Sequence, residues 1–141
     1  MPRGPVGCSE AMNSILRIKC ETATKATFLD SITLKPYRVD RNTSGSAVTS
    51  VHFDMRRKTK PPRNIEEAIS SISSFIRSNK DDIRTLSLVP HIKRYIDIPV
   101  SFKQDVYAKT LAFEPEFLLL LAQNKLSLTI SVYRSAGKGK V

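Results

Sequence analysis

His52 and His91 are the two histidines of the chain, and Cys8 and Cys20 its two cysteines. Nucleophilic or proton-transfer chemistry would have to set one of them beside a serine, lysine or carboxylate. His52 falls on the less apolar side of an alternating stretch, and His91 follows Pro90 at the start of another. Both read as surface or half-buried structural residues. Two cysteines are too few for a disulfide framework or for the roughly four ligands of a zinc site, so they read as free thiols in a reducing compartment. Glu66-Glu67 and Asp81-Asp82 have the chemistry of an acid/base pair. The first, however, sits at the start of a helical pattern, where negative charge complements the helix dipole, and the second just past its end. No glycine-rich phosphate loop, dinucleotide fingerprint or metal-spaced cluster occurs. The expectation is a non-enzymatic chain with no cofactor and no metal.

Two other groups of residues have chemistry suited to binding. Arg56, Arg57, Lys58, Lys60 and Arg63 form a basic, proline-punctuated run, and residues 47–63 carry +4 of a net charge of +10. Such a run attracts polyanions, whether nucleic acid, acidic protein or anionic lipid, and each neutralised phosphate releases counterions. Exposed aromatics that would stack single-stranded bases are few, with Tyr95 and Tyr133 pointing away from the expected core. The second group is Phe117, Leu118, Leu119, Leu120 and Leu121. On a helix these residues are apolar almost all round, and one sheet layer covers only about half of such a surface.

These residues must be placed by the following elements. Ser14–Cys20 reads as a strand, and residues 1–13 before it as a disordered leader without the apolar run of a signal peptide. Thr22–Thr33 has helical spacing through Ala26, Phe28, Leu29 and Ile32. Leu34–Gly45 reads as a long loop and Ala47–Met55 as a strand with one core face. Asn64 caps the clearest helix, with Glu67 at the capping-box position and Ile65, Ala68, Ile69, Ile72, Phe75 and Ile76 in one stripe. Asn79–Asp82 ends it, and Ile83–Pro90 is a turn or short helix. From Ile92 to Phe102 the residues alternate, and Pro99 implies an edge position or a local break in the ladder. Glu114–Asn124 is a helix with Pro115 in its early turn, and Leu126–Tyr133 is the last strand. The fold class is α+β: a two-layer sandwich with a four-stranded mixed or antiparallel sheet and about three helices on one face. The domain is expected over residues 14–134, followed by a flexible basic tail at 135–141.

The sequence Leu111-x-Phe113-x-Pro115-Glu116-Phe117-Leu118, with Leu121-Ala122 and the closing Leu126–Tyr133, resembles the end of the bacterial family catalogued as domain of unknown function four-two-seven-nine. Ser14–Lys19 and the segment from Leu34-Lys35-Pro36 to Gly45 resemble its first strand and its proline-to-glycine loop, so the resemblance covers about residues 13–134. It implies a small cytoplasmic bacterial domain without an established activity, similar in style to immunity proteins that neutralise a partner toxin. The leading expectation is therefore a binding domain for a protein partner, an acidic toxin or a second copy of the chain, through Phe117–Leu121. The alternative is a sequence-independent nucleic-acid-binding accessory domain using residues 56–63. No stretch approaches the length of a membrane span.

Overall fold

The structure, a computed structural model, describes residues 9–11, 13–21, 27–41, 48–55, 62–102 and 110–134. Its strands are β1 (Ser9–Ala11), β2 (Ile15–Glu21), β3 (Arg38–Arg41), β4 (Val48–Asp54), β5 (Lys93–Phe102) and β6 (Ser127–Arg134). Its helices are α1 (Ile65–Ser78), α2 (Lys80–Ser87) and α3 (Pro115–Gln123). All six strands belong to one sheet. β5 pairs with three strands, antiparallel to β1 and β2 along one side and parallel to the edge strand β6 on the other. β4 then pairs with β2, and β3 with β4, both antiparallel. The class is α+β with a mixed sheet, as the sequence implies.

One face of the sheet carries the core. Register sets Leu16 opposite both Phe53 and Ile96, and Ile18 opposite Val51. With Ile98 and Val100, these residues pack against Ala68, Ile72 and Ile76 of α1, Ile83 and Leu86 of α2, and Phe117 and Leu121 of α3. The stripe expected on α1 is thus the surface it buries, at roughly 1.5–3 kcal/mol per large apolar side chain before ordering entropy is subtracted. Asn64 caps α1 by accepting from the Glu67 amide at 2.9 Å. The Glu67 carboxylate reaches back one residue further than in a capping box, taking the Arg63 amide at 2.8 Å.

Several boundaries differ from the sequence reading. The supposed leader contributes β1, a short strand along β5. Along this side of β5 the described pairing stops at Ala11↔Val100 and resumes at Ile15↔Asp97, leaving Ile98 and Pro99 between. This is the local ladder break expected at a proline, which lacks an amide hydrogen. The long loop after Leu34 contains β3. Its residues, Arg38-Val39-Asp40-Arg41, show no apolar alternation because β3 is a charged edge strand, a composition that blunts further pairing. The helix expected over 22–33 is seen as helix at 27–29, followed by a turn, with Phe28 and Ile32 buried; residues 22–26 lie outside the described residues. Residues 83–87 are the last five of the eight residues of α2, which the chain enters directly from α1 through Asn79. Among the described residues the count is therefore six strands rather than four.

Asp82 does not idle past a helix end. It is buried within α2 and accepts from the Thr33 amide and hydroxyl and from the Leu34 amide, at 2.8–3.1 Å. Burial opposes its ionisation, but these hydrogen bonds outweigh that and hold the carboxyl below its ordinary value. The segment entering β3 is thereby fixed to the helical layer.

Candidate functional site

The five apolar residues of α3 divide into two sets. Phe117 and Leu121 are buried, at 4% and 3% exposure, and Phe113 stacks on Phe117 with ring centroids 6.0 Å apart. Leu118 and Leu119 point outward, at 45% and 56%, and Leu120 is half-buried. The sheet thus covers one side of α3 and leaves the other uncovered. β6 adds to this surface for a geometric reason. Nine helical residues rise about 13 Å, whereas eight strand residues rise about 26 Å. β6 therefore outruns the helix that should cover it: Leu128 and Ile130 are half-buried, and Val132, on the same face, is 57% exposed. Among the described residues β5 is the strand that pairs with β6, and none pairs with its outer edge.

Of the basic run, Arg56, Arg57, Lys58 and Lys60 lie outside the described residues. Arg63 is described, and its guanidinium holds Glu67 in an i,i+4 ion pair at 2.6 Å. Its position closes the start of α1 instead of reaching out as a lone cation.

The opposite face of the sheet is not the bare polar surface that one-sided alternation implies. Asp97, Pro99 and His52 are buried there. Asp97 accepts from the Ser131 hydroxyl at 2.7 Å and pairs with Arg17 at 3.2 Å. His52, opposite Arg17 in the ladder, meets Asp40 at 3.0 Å through Nε2, and Asp40 also accepts from Arg38 Nε at 2.9 Å. A carboxylate can only accept, so Nε2 carries the proton and Nδ1, buried without a hydrogen-bond partner among the described residues, is the bare ring nitrogen. The hydrogen bond from Arg38 holds Asp40 below the usual carboxylate range. Burial pushes His52 below its usual value, and the charges of Arg17 and Arg38 add to this against the pull of Asp40. The expectation of a surface or half-buried His52 is thus corrected: it is a buried, neutral member of a hydrogen-bonded chain.

This arrangement has a pH signature. The unfolded chain binds a proton at His52 near pH 6.5, and the folded chain does so only at lower pH, so the unfolded state holds more protons in between. Stability is therefore expected to fall as pH drops below about 6.5, before most carboxylates titrate. Urea midpoints measured from about pH 7 to 5 check this, and His52→Gln is expected to flatten the slope in that window.

At one end of the same face, between β2, β5 and the turn before β6, lies an open groove of about 540 Å³. Lys19, Lys93, Arg94 and Lys125 line it together with Tyr95 and Ser127. Lys19 Nζ sits 5.9 Å from the Tyr95 ring centroid, within cation–π range. Arg94 braces the wall, its guanidinium donating to the carbonyl oxygens of Leu86, Val89 and Lys125 at 3.3–3.4 Å. Sequence reasoning sought cations in a contiguous run and missed these, which are up to 106 positions apart in the chain. Their available signal was phase: Lys19 and Lys93 both occupy the polar side of their strands.

These features define a small α+β domain with a mixed sheet, an apolar helix-and-edge surface and a basic groove at the far side. No family model, curated protein or solved structure matches the chain. No described helix is long and apolar enough to cross a membrane.

Proposed function

We propose that the chain is a non-enzymatic, protein-binding domain of the bacterial cytoplasm, that its contact surface is the outer side of α3 with the edge of β6, and that a second copy of the chain is its first partner. The observation that carries this reading is the exposure of Leu118, Leu119 and Val132 beside a strand edge that no described residue pairs. β6 has eight residues, no proline and no charge before Arg134, which makes it a template for antiparallel pairing. Charge favours a like partner. The chain carries +10, yet residues 115–133 contain one acidic residue, Glu116, and one basic residue, Lys125, so two copies can meet there with little repulsion. A two-fold axis just beyond the outer edge of β6 would continue the sheet and bring the uncovered leucines of both copies to one side of it. The family resemblance adds an occluding, immunity-like role to the proposal, with a toxin engaged by the same dimer.

Light scattering on the full chain tests it. The expected result is a particle of twice the 15.8 kDa chain mass that becomes single on Leu119→Glu, with circular dichroism unchanged. A wild-type protein that stays monomeric at high micromolar concentration would remove self-association.

A further inference from the structure

We infer that the groove between Lys19, Lys93 and Lys125 is a binding site for a phosphate monoester or short polyphosphate. Two departures from local folding preference carry the inference, and they bring lysines to the same place. The first is in the ladder. Lys19 and Lys93 are direct register partners across β2 and β5, and like charges directly opposite oppose strand pairing. The second is at the end of α3. Leu126 donates its amide to Leu121 O at 2.9 Å, and Lys125 donates to Ala122 O at 3.0 Å. This is the paired hydrogen-bond pattern of a Schellman motif, whose left-handed position favours glycine. Lys125 occupies that position with φ 57°, a conformation uncommon for a side chain of this kind. Lys19 and Lys93, which strand pairing disfavours, and Lys125, which helix termination disfavours, have a reason to be there when they hold a ligand.

The surroundings agree in chemistry. The groove lining has four basic residues and no carboxylate, and the hydroxyls of Tyr95, Ser127 and Thr129 supply neutral donors. Of the carboxylates on this face of the sheet, Asp40 is engaged by Arg38 and His52 and Asp97 by Arg17 and Ser131, and Asp54, at the opposite end of the β2–β4 pair from Lys19, is not part of the lining. Glu21, two residues beyond Lys19 on the same strand face, is exposed and stands outside the lining. Arg94 fixes the Lys125 backbone through its carbonyl, so one wall is set before a ligand arrives. Three lysines around one concave spot suit a compact, multiply charged phosphate better than the singly charged, extended backbone of a nucleic acid strand. The Lys19 ammonium, held over Tyr95 in the structure, is the mobile donor that turns to the ligand.

Calorimetric titration of the full chain with inorganic pyrophosphate and with adenosine monophosphate at low salt tests this, with an oligothymidine strand as the second source of phosphate. Binding of the small phosphates is expected, weakening as salt rises. Lys125→Gly is expected to raise the melting temperature, because it relieves the left-handed residue, while weakening pyrophosphate binding about tenfold. Lys93→Thr, which removes the like-charge pair, is expected to move both quantities in the same directions. The inference is overturned if pyrophosphate and adenosine monophosphate fail to bind, if only the oligothymidine strand binds, or if Lys125→Gly and Lys93→Thr stabilise the protein with affinity unchanged. None of these outcomes depends on whether the α3–β6 surface joins two copies.

Discussion

Asp97→Ala is expected to lower the free energy of unfolding by about 3 kcal/mol, the range for breaking a buried ion pair by removing one partner. Asp97 is buried on the face of the sheet away from the helices, and two groups depend on it: the Arg17 guanidinium at 3.2 Å and the Ser131 hydroxyl at 2.7 Å. Without it, Arg17 keeps a side chain only 30% exposed, and its buried Nε has no hydrogen-bond partner among the described residues. Arg17 also lies opposite His52 in the ladder, so its charge is left in a place that already disfavours charge. For a domain of this size the loss corresponds to about 10 °C in melting temperature. A double-mutant cycle separates the pair from the packing. Arg17→Met, which strands the more buried Asp97, should be costly as well, and the double variant should cost less than the sum of the two, because removing both charges leaves neither one stranded. Additive costs in urea unfolding would show that the two groups act independently and would sink this account.

Phe53→Ala is expected to cost more, about 3–5 kcal/mol. Phe53 is almost fully buried on β4, opposite Leu16 of β2, which is itself opposite Ile96 of β5. Truncation opens a cavity between the sheet and the helices where the neighbours, fixed by ladder register on one side and by α1 on the other, have little room to collapse. Phe53→Leu restores most of the volume and should cost under about 2 kcal/mol. The comparison is made by chemical denaturation at one pH. Equal costs for the two substitutions would mean that the site relaxes freely and that the core is looser than its burial implies.

How far the sequence reveals this structure depends on what each residue interacts with. β6 and α1 are legible because their apolar positions repeat at the period of their own element, and the neighbour that each one faces is simply the core. Asn64 as a cap and Pro99 as a ladder break are legible for a related reason: both act within a few residues of themselves. β3 is not legible. Val39 is the sole apolar residue of Arg38–Arg41, and the strand exists through its pairing with β4. The role of Asp82 is hidden for the same reason, since its partners Thr33 and Leu34 precede it by 49 and 48 positions. His52, Arg17, Asp97 and Ser131 each fall on the polar phase of a strand, which marks their face correctly. Register alone sets the Arg17–Asp97–Ser131 group beside His52 and its partner Asp40, and no local pattern encodes register. The apolar excess of α3 was visible, but its division into buried Phe117 and Leu121 and exposed Leu118 and Leu119 follows from the single sheet layer beneath it.

The place of β5 in the sheet also has a consequence for how the chain is made. Both β2 and β6 lean on this strand, yet it is the fifth of the six to leave the ribosome. Until it is made, a half-sheet of β2, β3 and β4 has an open flank along β2 with unpaired backbone N–H and C=O groups, and Leu16 and Ile18 lack the neighbours that β5 supplies. When β5 arrives it closes that flank, but β6 is set parallel to it and must wait for the crossover through α3. The protein therefore commits to its fold late in translation, through contacts far apart in the chain. Such an order slows folding and leaves the nascent half-sheet as the species in need of protection from aggregation.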